Sequence, residues 1–272
     1  MSNPFTAANR LNWDERVDIH LRDTGEIYPI DAFRAGADAL MPIEAAEIGD
    51  VSGLRIAHLQ CHFGLDTLSL ARRGAEVTGL DFSASAIEAA RTLATETGIA
   101  ADFVEGDVYE ARARLSGAFD IVYVTWGAIN WLPDIRRWAL VVASLLKPAG
   151  RLYLSEGHPF LLQTEQADGK LVVDWTWRTQ AETPLAFDED KTYAGDGTPL
   201  VTQRSYEWMH SLSDIVGGLT EAGLTLEFLH EHDSLPWPHV PMMQQGEDRM
   251  FRLPDDVAGP PLAFSLSARK TP

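Results

Sequence analysis

The chain has 272 residues, with 22 Lys and Arg against 40 Asp and Glu, giving a formal charge of −18 and a sequence pI near 4.7. Such a field repels polyanions, which excludes the basic footprint of a nucleic-acid binder and argues against an anionic membrane surface. Hydrophobic residues at 45% and charged residues at 23% are ordinary for a packed globular chain and far from a disordered composition, so one α/β domain with decorations is expected. The single cysteine, Cys61, rules out an intramolecular disulfide and a cysteine zinc site and suits a reducing compartment. Met1 to Arg10 lack the apolar core of a leader, and no run of about 18 apolar residues occurs, so a soluble, cytoplasmic protein is expected.

Residues 1 to about 50 are expected to form an N-terminal helical cap, with an amphipathic helical segment over Ala32 to Ala45. From Leu54 onward, short apolar runs alternate with helical patterns. Arg55 to Leu59, Glu76 to Leu80, Asp102 to Glu105, Asp120 to Thr125 and Arg151 to Ser155 read as strands. Helices between them imply right-handed crossovers and a parallel, doubly wound sheet. Ser85 and Glu88 have capping-box spacing, Ala86, Ile87, Ala90, Leu93 and Ala94 keep helical spacing, and Gly98 supplies a left-handed stop. Pro133 is expected to open the next helix, with Ile135, Trp138, Val142 and Leu145 on its buried face and Lys147, Pro148 and Gly150 closing it.

Between about 160 and 206 the pattern becomes polar and aromatic. A strand around Val172 to Thr179, and a turn at Gly195-Asp196-Gly197 before Leu200 to Tyr206, predict a β-hairpin lid. The α/β order resumes with a helix over Ser211 to Ala222 ended by Gly223, a strand over Thr225 to His230, and a last strand over Leu262 to Ser267.

In open parallel sheets a ligand sits beyond the carboxyl ends of the strands, where strand order reverses. Four loops end there: Leu59 to Asp66, Gly79 to Ser83, Val104 to Val108 and Val124 to Gly127. Asp81 follows Gly64 by 17 residues, near the offset at which an acid ending the second strand meets ribose hydroxyls. Asp107 ends the third strand. Phe119-Asp120-Ile121-Val122 and Leu146 to Leu152 complete the ordered set.

Together these loops resemble the nucleoside-binding loops of class I S-adenosylmethionine-dependent methyltransferases over about residues 50 to 160. The resemblance implies a doubly wound, mostly parallel seven-stranded sheet of Rossmann-like type across residues 51–272, with S-adenosyl-L-methionine as cofactor. It implies that Asp81 grips the ribose hydroxyls, Phe82 packs on adenine, Asp107 takes the adenine amino group with Val108 alongside, and Thr125 and Trp126 lie near the reactive arm. The first loop departs from the family. His58 replaces its strand-one acid, and Gln60, His62 and Gly64 occupy its three glycine positions, a Gln-Cys-His-Phe-Gly variant similar to that of bacterial methyltransferase-like sequences. A non-glycine residue held at positive φ costs about 1–3 kcal/mol, so the loop is strained but permitted. Its side chains crowd the space a pyrophosphate needs, which disfavours NAD, and Gln60 and His62 are expected to meet the methionyl carboxylate or ammonium.

The expected reaction is in-line methyl transfer to a nitrogen or oxygen of a small, aromatic or amine acceptor, with His158 as candidate base and Asn130 beside it. Glu156 and Trp131 lie on the same loops, and His210 is a more distant base candidate. Trp126, Trp131, Trp175 and Trp177 are candidates for an aromatic pocket wall, and Trp13 and Tyr28 for closing the cleft. His58 on a buried strand reads as a hydrogen-bonded core histidine rather than a base, and the lesser readings of Asp81 and Asp107 are a helix-capping acid and a turn acid. No metal site is expected: the His230 and His232 pair has no third ligand at suitable spacing. Two rival readings remain, a catalytically silent nucleotide-fold binding protein and an NAD-linked oxidoreductase. The sequence holds no Tyr-x-x-x-Lys pair and only four lysines.

Overall fold

The computed structural model describes residues 3–23 and 27–271. Three helices open the chain: α1 (Pro4–His20), α2 (Ile30–Arg34) and α3 (Pro42–Glu47). The core then runs β1 (Arg55–Leu59), α4 (Leu65–Arg72), β2 (Glu76–Asp81), α5 (Ala84–Thr97), β3 (Asp102–Glu105), α6 (Ala111–Arg114), β4 (Phe119–Thr125), α7 (Ile135–Leu145) and β5 (Leu146–Gly157). Two small hairpins follow, β6 (Thr164–Ala167) with β7 (Lys170–Val173), and β8 (Leu185–Asp188) with β9 (Arg204–Glu207). After them come α8 (Leu212–Glu221), β10 (Leu224–His232), the two-residue strands β11 (Gln244–Gln245) and β12 (Phe251–Arg252), and β13 (Ala263–Lys270).

Seven strands form one sheet in the order β10-β13-β5-β4-β1-β2-β3, and only β13 runs against its neighbours. Strand order reverses between β1 and β4, so a crevice opens above their carboxyl ends. Alternation along each strand builds the two faces. Ala57, Leu59, Val122 and Val124 join Trp138, Val142 and Leu145 of α7 and Ile215 and Leu219 of α8 in one cluster. Ile56, Val77, Ile121 and Tyr123 point the other way, toward Ile48, Val51 and Leu70. Beside that second cluster, α4 and α5 bury Leu68, Ile87, Ala90 and Leu93 against Phe33 of α2.

Several boundaries differ from the sequence reading. Ser83, not Ser85, caps α5, accepting the Ala86 amide at 3.1 Å, because that amide is one of the unpaired donors of the first turn. Asp134, not Pro133, caps α7, and α7 runs directly into β5, whose first residues include Lys147 and Pro148. The predicted strand around 172–179 stops at Val173, and the tight turn lies at Asp168-Gly169. The segment Ala32 to Ala45 is broken into α2 and the start of α3 by Pro42, which stands at the first turn of α3. The sequence reading expected a helical cap over residues 1 to about 50 but gave α1 no bounds of its own. The helix buries Asn9, Asn12, Arg16 and His20 together with Val17 and Ile19, and the four polar residues bind the stretch that contains the second hairpin. Asn9 and Asn12 donate to the Tyr206 and Thr202 carbonyls, Arg16 meets Glu189, and His20 meets Thr192. Among the described residues, no helix is long and apolar enough to cross a membrane.

Two buried glutamates tie this frame together. Glu156, near the end of β5, accepts the amides of Gly127, Ala128 and Ile129 at 2.6, 2.6 and 2.8 Å, fixing the loop that leaves β4. Glu44, fully buried in α3, accepts the Met41 amide at 2.5 Å. Burial and the neighbouring Asp66 carboxyl push its pKa up to about 8.

Glu156→Gln sets an amide NH₂ against a row of N–H donors and is expected to lower the free energy of unfolding by about 2–4 kcal/mol in urea titrations. A loss under about 0.5 kcal/mol would mean that the loop is held by other contacts. Above pH 7 the unfolded chain has lost the Glu44 proton while the folded chain keeps it to about 8. Stability therefore declines as pH rises through this interval, by up to about 1.4 kcal/mol per pH unit. Urea midpoints at pH 7.0 and 8.5 are expected to show a shallower decline in Glu44→Gln than in the parent chain.

Candidate functional site

The loop from β1 to α4 keeps a glycine-like backbone without the glycines. Gln60, His62 and Gly64 have φ of 56°, 50° and 79°, all left-handed, and the first two pay the steric cost of a Cβ there, of order 1–2 kcal/mol each. Their side chains supply the offsetting contacts. Gln60 Nε2 donates to the Ala128 carbonyl at 2.7 Å, bridging the point where strand order reverses. His62 packs at ring-centroid distances of 4.2–5.6 Å on Phe63, His20, Trp13 and Tyr28. Gly64 is fixed by space as well as conformation, since an added Cβ would lie 2.6 Å from the Phe103 ring.

The next loop is tied to the first through Asp81. Its carboxylate accepts the His62 amide at 2.8 Å and the Ser83 amide at 2.9 Å, and burial raises its pKa to about 6. Asp107 accepts the Tyr109 amide at 2.8 Å and starts a short 3-10 turn. Trp126 and Gly127 leave β4 in left-handed conformations, with φ of 54° and 70°, held in place by Glu156.

These loops enclose a cavity of about 170 Å³ above the carboxyl ends of β1, β2, β3 and β4. Every residue read from the sequence as a cofactor contact lines it: Gln60, His62 and Gly64 from the first loop, Asp81 and Phe82 from the second, Asp107 and Val108 from the third, and Thr125 and Trp126 from the fourth. Asp81 and Asp107 thus hold turns and also line the cavity. His58 is a core histidine, as its strand position suggests: Nδ1 meets Thr67 Oγ1 at 2.8 Å, and burial lowers its pKa to about 3. His62 is lowered to about 3 by burial and by the Arg16 charge, so both rings are neutral near pH 7.

The proposed catalytic pair is not brought to this cavity. Asn130 donates to Glu207 at 2.8 Å beneath the second hairpin, because its turn faces α1 and β9. His158 faces Glu231 at 3.2 Å, because it follows β5 along the edge toward β13 and β10. His210, the remote candidate, meets the Leu132 carbonyl. Of the tryptophans expected in the wall, Trp126 and Trp131 line the cavity, whereas Trp175 packs on Phe187 and Trp177 is exposed. Trp13 and Tyr28 do close the cleft. His230 and His232 are used by Glu47 and Ser265.

Four participants escaped the sequence reading. Trp237 and Tyr193 reach the cavity from the C-terminal stretch and the insertion. Asp66, in the first turn of α4, lines it and accepts the Thr125 hydroxyl at 2.9 Å. Glu44 lies behind Trp126, whose indole N–H it accepts at 3.1 Å. Only Asp66 carried a signal, standing two residues after Gly64 on the same loop.

Residues 56–150 match a family model described as a methyltransferase domain, about a third of the chain. A ubiquinone biosynthesis O-methyltransferase of Cronobacter sakazakii is 34% identical over 111 residues, covering 41% of this chain and 45% of that protein. Its counterpart in Erwinia tasmaniensis is 29% identical over 156 residues, 52% of this chain and 64% of that protein. The chain thus spans roughly half to under two thirds of these relatives' length. An S-adenosylmethionine-dependent methyltransferase from Mesorhizobium loti, known by crystal structure, superposes with a TM-score of 0.57 at 20% identity, over 87% of this chain and 100% of that one. At that identity the likeness is one of fold. Residues 56–150 therefore resemble a methyltransferase domain, and the seven-stranded sheet that contains them has the fold of the S-adenosylmethionine-dependent methyltransferases.

Proposed function

We propose that the chain transfers a methyl group from S-adenosyl-L-methionine to a nitrogen or oxygen of a small planar molecule. The observation that carries this reading is the charge and shape of the cavity. Asp66, Asp81 and Asp107 line it, both its histidines are neutral near pH 7, and among the described residues no lysine or arginine does. Aromatic rings of Trp13, Tyr28, Trp126, Trp131 and Trp237 form much of the rest. Such a cleft favours a ligand with positive charge and flat apolar parts and repels a pyrophosphate, so it suits a sulfonium nucleoside and disfavours NAD.

The residues fit that cofactor. Gln60 Oε1 and His62 Nε2 are buried without hydrogen-bond partners on the cavity's own loop, two polar atoms left over by the fold. In this reading Asp81 takes the ribose hydroxyls with the carboxylate capacity that its two amide bonds leave over. Asp107 and Val108 meet the adenine edge, and Phe82 packs on its face. The bound cofactor supplies an electrophilic methyl carried on a positively charged sulfur. The protein's share is to orient the acceptor along the line of displacement and to exclude water, which places the burden on positioning. The left-handed Trp126-Gly127 turn, anchored by Glu156, forms that part of the wall. The named O-methyltransferase activity of the relatives favours oxygen as the acceptor atom.

Calorimetry is expected to show S-adenosylhomocysteine binding and no binding of NAD or NADP. Asp81→Ala is expected to weaken that binding by about 1.5–3 kcal/mol, the scale of hydrogen bonds to a charged group; unchanged affinity would displace the ribose from this site. A screen of phenols and amines with radiolabelled methyl donor identifies the acceptor. With that acceptor, His158→Ala and Asn130→Ala are expected to keep kcat within about threefold, since neither reaches the cavity. A loss of about 10²-fold or more would restore His158 as a base.

A further inference from the structure

The residues assigned to the nucleoside stand at the ends of β1, β2 and β3, and the part of the cavity beyond β4 and β5 has a different origin. Trp126, Trp237 and Tyr28 line the cavity and pack on one apolar cluster with Ile27, Leu161 and Leu235; among its described members Trp126 alone lies within residues 56–150. Trp237 has a proline on either side, Pro236 and Pro238, which fix their own φ and hold Trp237 extended, so little backbone freedom is left around the indole. The segment is also tied down. Leu235 and Phe251 exchange backbone hydrogen bonds at 3.0 and 2.7 Å, His239 Nε2 meets the Thr164 carbonyl at 2.9 Å, and the Met242 amide donates to Gln166 Oε1 at 2.7 Å. The first hairpin, which does not line the cavity, thus anchors the segment whose tryptophan does. The indole lies over the end of β5, where a Cβ on Gly157 would stand 3.2 Å from its ring.

Trp237 meets Trp126, at the end of β4, edge to face, with ring centroids 6.4 Å apart and planes inclined at 75°. Trp126 is fixed in turn by its left-handed backbone and by the bond from its indole N–H to Glu44. Two held indoles on one wall offer a face and an edge to a flat ring. The polar element beside them is a pair of phenols. The hydroxyls of Tyr28 and Tyr193 are 2.6 Å apart and both residues line the cavity; one O–H is used between them, so the pair keeps one donor and free lone pairs. Tyr28 also packs beside Phe63 on the cluster behind the first loop, which puts the pair where the two parts of the cavity join. Among the described residues no lysine or arginine lines the cavity, so a carboxylate carried on the ring finds no counter-charge on the wall. We infer that the β4–β5 end of the cavity is the acceptor subsite, that Trp237 is its specificity-determining wall, and that it takes a neutral aromatic ring bearing a hydroxyl. This rests on the methyltransferase reading and deepens it by naming the class of acceptor and the side chain that selects it.

The test is ligand-observed NMR titration of the full chain at neutral pH, with and without saturating S-adenosylhomocysteine. The probes are p-cresol, toluene, which lacks the hydroxyl, 4-methylcyclohexanol, which lacks the aromatic face, and p-toluate, which carries a charge. The loaded chain is expected to bind p-cresol more tightly than toluene, about threefold or more tighter than 4-methylcyclohexanol, and about tenfold or more tighter than p-toluate. Trp237→Ala is expected to weaken p-cresol about tenfold or more, and Trp237→Phe by about threefold or less, while calorimetry shows S-adenosylhomocysteine within about twofold of the wild-type chain in both. Trp237→Leu keeps bulk at the position without the aromatic face and is expected to bind p-cresol and 4-methylcyclohexanol alike; thermal melts confirm that each variant is folded. Failure of the loaded chain to bind p-cresol, competition between p-cresol and S-adenosylhomocysteine, equal binding of p-cresol and p-toluate, or p-cresol affinity unmoved in Trp237→Ala overturns the proposal and leaves the cofactor reading standing. So does equal weakening of p-cresol and S-adenosylhomocysteine in Trp237→Ala, which would put the indole against the cofactor. A wild-type chain that binds no S-adenosylhomocysteine overturns both.

Discussion

The carboxylate of Asp81 joins two loops that must stay in register for a cavity to exist between them. It receives one amide from the first loop and one from the second, at the ends of adjacent parallel strands. Glu156 does the same on the other side of the strand-order reversal, gathering three amides of the loop after β4. Gln60 closes the circuit by reaching from the first loop to Ala128. The cavity rim is therefore a chain of charge-assisted and amide hydrogen bonds in a water-poor setting, where each bond is stronger than at the surface and each vacancy costs more. This is why the loop tolerates left-handed Gln60 and His62: the backbone path is imposed by bonds at both ends, and the side chains recover part of the strain by packing.

The same rim explains how the site uses acids. Asp81 at one end and Asp66 with Glu44 at the other are all held above their ordinary pKa by burial, with no basic residue lining the space between. Buried carboxyls of this kind weaken a fold when ionised, and proteins keep them where a ligand repays the penalty. The dinucleotide folds place glycine and a helix N-terminus against phosphate. Here the equivalent surface is neutral histidine, glutamine and carboxylate, a reversal in sign on a shared scaffold.

The parallel core was legible because its signals are local. The strand residues alternate between the two faces, Trp138, Val142 and Leu145 keep helical spacing, and Gly98 and Gly223 stand at left-handed stops. The loops that line the cavity were legible because their positions follow from strand ends. What escaped was made by contacts between distant segments. Helix α1 buries asparagine, arginine and histidine beside only two apolar residues, Val17 and Ile19, so no hydrophobic period announces it, and the partners of its polar face are supplied by residues some 170–200 positions later, for example Asn9 with Tyr206. His158 and Asn130 sit on the right loops but point away, a matter of register that strand assignment alone does not settle. Glu44 meets the Trp126 indole only through tertiary packing.

The cavity is built from two sources. Most of its wall comes from strand-end loops within residues 56–150, the stretch that matches the family model. The remainder comes from residues before that stretch, Trp13 and Tyr28 among them, and from Tyr193, Pro236 and Trp237 after it. Substitutions at Trp13, Tyr28, Tyr193 or Trp237 therefore reshape one side of the cavity without touching the strand-end loops that form the other.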